Sequence, residues 1–346
     1  MAEYISFQPS DFFNTKLYTG TGSSNAITGV GFQPDFSWVK QRNGTQNHKL
    51  QDAVRGSTTV IQTNTTAGES TVSTGMTSFD SDGFTVGTDA GYNGNTDTYV
   101  SWNWKAGTTS GLSGGTITPS SYSINTTSGF GIYAYTGTGS TGTIAHGLGA
   151  VPGCIIVKNL DATAEWQSYQ QGIDATAPED YTLQLSADGA RFDTDTRWND
   201  TAPTSSVFTL AGNDTVNGSA VDYIAYVFTE KKGYSKFGSY TGNGVADGAF
   251  IYTGFRPAWI MLKISNTTGD WYLYDSKRVG YNVDNDSLFP NSSQAEATSD
   301  DLDIMSNGFK LRSTNGQING DGNTIIYAAF AEFPIVSSND VPTVAR

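Results

Sequence analysis

Gly111-Leu-Ser113-Gly-Gly115 has the spacing of a nucleophile elbow, and a serine there would need a histidine to take its proton. The chain holds two candidates, His48 and His146. An elbow also needs an apolar strand ahead of the serine to hold it on a strained turn. Residues 106–128 are instead a Gly/Thr/Ser run around Pro119, so hydrolase chemistry is not expected. Gly137-Thr-Gly139-Ser-Thr-Gly142 formally fits the dinucleotide fingerprint, which presents a helix N-terminus to a pyrophosphate. Thr143-Ile144-Ala145 leads into β sequence rather than a helix, so the expected structure is a hairpin turn. Neither histidine has a His or Cys partner at ligand spacing. Cys154, the single cysteine, lies in an apolar run as a small core residue, which excludes a thiolate zinc site and an intrachain disulfide.

Carboxylates and rings offer two further chemistries. Asp193 and Asp195, Asp284 and Asp286, and Asp300, Asp301 and Asp303 fall in expected loops, where carboxylates with backbone carbonyls can hold Ca²⁺. None has the twelve-residue calcium-loop pattern, so solvated acidic loops are the plainer expectation. A glycosidase pair needs two carboxylates across a sugar, and 33 acidic residues do not single one out. Trp166, Trp198, Trp271 and Tyr272 are candidates for a sugar-stacking platform. Trp166 and Trp271 each lie eight residues after a lysine, Lys158 and Lys263, and His48 takes that place after Lys40. A recurring ring position suits a core partner at least as well as a ligand contact.

Those lysines disclose how the chain is built. Each ends an apolar run opened by proline: Pro34-Asp-Phe-Ser-Trp-Val-Lys40, Pro152-Gly-Cys-Ile-Ile-Val-Lys158 and Pro257-Ala-Trp-Ile-Met-Leu-Lys263. Ahead of each run stands Tyr-Thr-Gly-Thr-Gly at 18–22 and 135–139, or Tyr-Thr-Gly-Asn-Gly at 240–244. Behind each come Phe84-Thr-Val86, Phe208-Thr-Leu210 or Phe309-Lys-Leu311, then alternating closing strands beginning at Tyr99, Tyr223 and Tyr327. Asp82-Gly83 and Asn307-Gly308 mark hairpins, whereas Ser206-Val207 in the second copy implies a different turn. Phe36 and Trp38 face one way and Val39 the other. In the later copies Cys154 and Ile156 oppose Ile155 and Val157, and Trp259 and Met261 oppose Ile260 and Leu262, as in strands buried on both faces.

The expected fold is all-β: three tandem antiparallel β-sandwich modules of jelly-roll or lectin-like type, related by the internal repeat. The boundaries read as an N-terminal arm 1–15, module 1 at 16–107, a linker 108–129, module 2 at 130–232, module 3 at 233–334 and a tail 335–346. Phe7, Phe12 and Phe13 make the arm either a docking element for a neighbouring subunit or a capping strand. Composition agrees: 40 Gly among 346 residues, 37% hydrophobic and 15% charged. A net charge of −14 argues against nucleic acid and anionic membrane as partners. No apolar run approaches the ~20 residues of a membrane helix, and the N-terminus lacks a signal-peptide pattern, so a soluble protein made without a cleaved signal is expected.

The Tyr-Thr-Gly-x-Gly turn, Gly31-Phe-Gln-Pro-Asp-Phe-Ser-Trp-Val-Lys40, Asp52-Ala-Val-Arg-Gly56, Asp82-Gly-Phe84 and Tyr99-Val-Ser-Trp-Asn-Trp-Lys105 together resemble a repeat-domain family of tailed-bacteriophage virion proteins, especially from phages of marine bacteria. The third copy keeps Gly254-Phe-Arg-Pro257 and Asp275-Ser-Lys-Arg278, and the second keeps mainly its ends. The resemblance implies a non-enzymatic structural protein in a virion, as tail appendage, fibre or capsid decoration, with no catalytic residues to carry across. Its partners would be other virion proteins and further copies of itself, a trimer being favoured. The alternative is an adhesion module of the tail that binds a host receptor or surface glycan.

Overall fold

The computed structural model describes residues 7–278, 282, 285–299 and 301–334. The expected tail 335–346, and Asp284 and Asp300 of the acidic loops, lie outside them. The fold is all-β, with several antiparallel sheets and a few single-turn helices. Each repeat contributes a large sheet in the order opening, closing, proline and second strand. In the first repeat these are Phe13–Thr19, Thr98–Trp104, Phe36–Gln41 and Lys49–Asp52. In the third they are Ser235–Thr241, Thr324–Pro334, Phe255–Ile264 and Trp271–Asp275. The second keeps Phe130–Thr136, Asp222–Thr229, Pro152–Asn159 and Gln167–Gln170 and extends the sheet to seven strands. Pro152 and Pro257 both sit where the register with the closing strand shifts, so their missing N–H breaks no regular ladder.

One of the added strands, Ser121–Asn125, comes from the expected linker and pairs with Phe130–Thr136. Alternation at Tyr122 and Ile124, with Tyr133 facing Tyr122, outweighs the Gly/Ser/Thr composition around it. A second correction concerns the Tyr-Thr-Gly-x-Gly turn. The strands on either side of it do not pair; Asn25–Thr28, Gly142–Ala145 and Phe250–Tyr252 each belong to a smaller sheet, with Gly83–Val86, Val207–Leu210 and Gly308–Leu311 as neighbours. The turn is a crossing between two sheets, not a hairpin. The Asp82-Gly83 and Asn307-Gly308 hairpins do form, between Met76–Asp80 and Gly83–Val86 and between Leu302–Met305 and Gly308–Leu311.

The large sheets are buried on both faces. Val39 and Tyr99 of the large sheet and Phe84 of a smaller one belong to a local cluster within the first repeat. Ile155, Val157 and Phe208 do the same in the second, and Ile260, Leu262 and Phe309 in the third. The opposite faces meet one another: Phe36, Trp38, Cys154, Ile156, Trp259 and Met261 all belong to a single cluster drawn from all three repeats. At its centre Trp104, Phe228 and Phe330, which hold equivalent places on the three closing strands, form a triangle. Their ring centroids are 6.3, 5.6 and 5.6 Å apart. Each buried side chain of this size contributes on the order of 2–3 kcal/mol. Phe7 and Phe12 of the arm pack against Tyr234 of the third repeat, so the arm docks on its own chain.

Backbone hydrogen bonds close the repeats into a ring. Glu69 N donates to Leu160 O at 2.8 Å, Arg191 N to Ser265 O at 2.7 Å and Glu296 N to Arg42 O at 2.7 Å. The acceptors are equivalent positions, two residues beyond each buried lysine. The long loop of repeat 1 therefore grips repeat 2, that of repeat 2 grips repeat 3, and that of repeat 3 returns to repeat 1. The chain builds a pseudo-threefold around its shared core.

Candidate functional site

The four rings expected to form a sugar platform are inside. Relative exposure is 0% for Trp166, 2% for Trp198, 1% for Trp271 and 6% for Tyr272. Trp166 Nε1 donates to Gln62 O and Trp271 Nε1 to Gln184 O, both at 3.0 Å and both across a repeat boundary. Trp198 packs edge-on against Tyr169, and Tyr272 stacks on Tyr274. None presents a ring face to solvent, which stacking on a pyranose requires. His48 fills the equivalent wedge of the first repeat; its Nδ1 accepts from Trp38 Nε1 at 2.8 Å. Burial first, and then the Lys40 charge, hold its pKa well below the ordinary imidazole value, so it stays neutral.

Cys154 and Asp301 are likewise taken up by packing, whereas Asp193 and Asp195 are exposed. Cys154 is buried, accepts from Gln170 Nε2 at 2.9 Å, and burial pushes its thiol up to about 12. Asp301 is buried and accepts from Tyr274 and Ser299, while Asp303 pairs with Arg312. Asp286 lies 3.6 Å from Arg42. Near the second repeat's short helix, desolvation and the carboxylates of Asp180, Asp195, Asp193 and Glu179 raise the pKa of Asp200. Among the described residues no three His, Cys, Asp or Glu side chains converge as metal ligands.

Three buried asparagines explain the Tyr-Thr-Gly-x-Gly motif. Asn93, Asn217 and Asn319 are fully buried, and their Oδ1 atoms accept from Thr21 N, Thr138 N and Asn243 N at 2.8, 2.8 and 3.1 Å. Their backbone carbonyls accept from the motif's second glycine, Gly22, Gly139 or Gly244, each at a φ near +70° that favours glycine. A Cβ on the first glycine, Gly20, Gly137 or Gly242, would stand 2.1–2.3 Å from a carbonyl oxygen just beyond the asparagine. The motif tyrosines Tyr18, Tyr135 and Tyr240 donate to Tyr92 O, Val216 O and Ile318 O, the residue before it. The asparagine stands six residues ahead of Tyr99, Tyr223 and Ile325. That spacing was visible, but the third closing strand aligns on Ile325 rather than Tyr327: Tyr18 pairs with Tyr99, Tyr135 with Tyr223 and Tyr240 with Ile325.

Charged clusters recur at the repeat boundaries. Asp52 is bound by Arg55 and by Tyr226 OH of the second repeat at 2.8 Å. Asp275 is bound by Arg278 and by Trp102 Nε1 of the first repeat at 2.9 Å. At the third boundary the three partners change together, to Gln170, Ile173 and Ala328, all buried. Lys40, Lys158 and Lys263 are fully buried, and each Nζ donates to backbone carbonyls. Lys158 reaches Thr66 O and Lys263 reaches Asp188 O, each in the preceding repeat. Burial lowers all three to about 8.

Among the described residues, the wider openings lie on the outer surface. The cavity on the pseudo-threefold axis is about 20 Å³, apolar and enclosed by Trp38, Trp104, Trp259 and Phe330. A groove of about 290 Å³ lies between repeats 1 and 2, lined by Gln62, Thr65, Glu69, Ser70, Asp161 and Thr163. A smaller one of about 240 Å³ is flanked by Asp195, Asn199 and Asn213. Among the described residues the large exposed apolar side chains are Val151 and Phe192 of repeat 2 and Val245, Phe250 and Tyr252 of repeat 3.

The fold thus defines an all-β protein of three repeats closed around one core. The chain belongs to the DUF7483 family, a domain of unknown function, whose profile spans residues 8–334 and so takes in all three repeats as one unit. No curated protein matches it.

Proposed function

We propose that the chain is a non-enzymatic structural protein of a virion, in a tail appendage, fibre or capsid decoration, acting through assembly interfaces. Each repeat is then a two-layer antiparallel β-sandwich of lectin-like or jelly-roll type. The closed ring carries this reading. Aromatic side chains, buried lysines and Asp–Arg pairs that elsewhere serve ligands here hold three repeats into a block with wide outer walls, and such a block works by what it is packed against. The resemblance to tailed-phage virion proteins supports the same reading. Partners are other virion proteins and further copies of the chain, whose trimer would superpose a true threefold on the internal one. Mass spectrometry of purified particles with antibody labelling in electron micrographs is the test. A protein made during infection but absent from purified particles overturns the reading.

The inter-repeat groove favours a second reading, a host-surface or glycan-binding module. Its lining of amide, hydroxyl and carboxylate groups suits hydroxyl-rich ligands, and about 290 Å³ approaches the size of a small-molecule site. A glycan array with wild type and Asp161→Ala separates the readings. Binding that is lost in the variant supports adhesion; silence across the array removes it.

A further inference from the structure

The same outer strand of each repeat meets a different fate. Phe250–Tyr252 pairs Phe250 with Lys310, Ile251 with Phe309 and Tyr252 with Gly308. On either side, Leu311 N donates to Ala249 O and Thr253 N to Asn307 O, both at 3.0 Å. Antiparallel pairs alternate between bonded and non-bonded. Ile251 is therefore the bonded residue, and the N–H and C=O groups of Phe250 and Tyr252 point away from the sheet. The same parity in repeat 2 turns Thr143 and Ala145 outward, and there the chain covers its own edge. Thr116 N and Ile117 N donate to Thr143 O at 2.8 and 2.9 Å, and Thr143 N donates to Thr116 Oγ1 at 2.8 Å. In repeat 1 the outward residues are the small Ala26 and Thr28. Of these three equivalent strands, and among the described residues, only that of repeat 3 presents large rings on an uncovered edge: Phe250 is 45% and Tyr252 57% exposed, with Val245 at 50% on the connection leading in.

We propose that this edge is a homodimer contact, in which Phe250–Tyr252 pairs antiparallel with Phe250–Tyr252 of a second copy about a twofold axis through Ile251. The parity is self-complementary. Phe250 stands opposite Tyr252 of the second copy in a bonded pair, and Tyr252 opposite its Phe250, so the outward N–H and C=O groups of all four residues find partners in four hydrogen bonds. Phe250 and Tyr252 lie on one face of the strand, so their rings meet across the junction as two aromatic cross-strand pairs. Two three-stranded sheets become one of six strands, and the free edge disappears. A twofold contact closes on itself, whereas an unlike strand would have to supply its own matching rings. The contact is small, so the dimer is weak and concentration-dependent in dilute solution, and it strengthens where copies are held side by side. The proposal does not depend on the virion reading.

Sedimentation equilibrium over a concentration series tests it. Wild type passes from monomer to dimer. Phe250→Ala with Tyr252→Thr, which installs small residues like those of the first repeat's edge, keeps the circular dichroism and melting temperature while dimerisation weakens by at least ~tenfold. Register is read by mixing Phe250→Cys with Tyr252→Cys under mild oxidation, where the mixed disulfide exceeds either self-disulfide several-fold. A wild type that stays monomeric throughout overturns the proposal, as does a dimer indifferent to the double substitution. A dimer that vanishes on deleting residues 335–346 with the edge intact also overturns it, because the tail would then be the interface.

Discussion

At the scale of single residues, the side chains with chemical potential are engaged in holding carbonyls and turns. Asn93, Asn217 and Asn319 each satisfy a motif N–H through Oδ1 and carbonyls through Nδ2, including Gly87 O, Ser140 O and Val245 O. Asn217→Ala empties a fully buried position and removes the partners of Thr138 N and Ser140 O, and is expected to cost about 2–4 kcal/mol, read as a fall in the urea midpoint. Asn217→Asp keeps the acceptor but loses the donor, and should be no milder. The buried lysines give a pH signature. Burial places Lys40, Lys158 and Lys263 at about 8, below the ~10.4 of an unfolded lysine. Between these values the unfolded chain binds more protons than the folded one, so stability rises with pH from about 8 to about 10. Above that window the sign reverses, because burial raises Tyr18, Tyr135, Tyr226 and Tyr274 above their unfolded value and folding then holds protons that the unfolded chain has released. Chemical denaturation at a series of pH values should show a maximum near pH 10. Lys158→Met should flatten the rising limb and lower stability throughout, since Thr66 O, Asn159 O and Ala164 O lose their donor.

At the scale of elements, the sequence shows the strands well and their relations less well. The proline strands display which residues face which way because the alternation is local, and Phe36, Trp38 and Val39 lie in the clusters that alternation requires. The hairpin glycine at 308 is legible for a different reason than the one at work: a Cβ on Gly308 would stand 2.0 Å from Ile251 O, so close approach of the neighbouring strand demands glycine. Ser121–Asn125 was hidden by its composition, and the Tyr327 register by a tyrosine two residues beyond the equivalent Ile325, which conserves parity and so leaves the pattern undisturbed. The boundary clusters could not be read at all, because Asp52 and Tyr226 stand 174 residues apart and nothing local links them. Their logic is testable. Gln170→Asp alone puts an uncompensated carboxylate at the third boundary and should cost about 3–5 kcal/mol. Adding Ile173→Arg and Ala328→Tyr rebuilds the arrangement of the first boundary and should recover most of that loss. A mutant cycle on the three positions, by denaturant unfolding, measures the coupling; additive effects would show that the three residues do not act together.

At the scale of the whole molecule, the repeat length suggests separable modules and the contacts argue otherwise. The central cluster takes Trp104 from the first repeat, Phe228 from the second and Phe330 from the third, and the backbone ring fastens each repeat to the next and the last to the first. One repeat cut away would expose one face of its large sheet, including Phe36, Trp38, Trp102 and Trp104 in the first, and would lose the neighbours that satisfy Asp52 and Lys158. Tandem repeats in a linear array can unfold one after another, because each contacts only its neighbours. A closed ring has no free end from which to fray, and its three large sheets share the surface that stabilises them. Fragment 16–107 is therefore expected to lack near-ultraviolet dichroism and dispersed amide resonances in isolation. The full chain is expected to unfold in a single transition, with coincident near- and far-ultraviolet curves and calorimetric enthalpy equal to the van't Hoff value. Weakening one boundary with Asp275→Asn should move that whole transition without splitting it, and a second, separate step would mean that the repeats fold on their own.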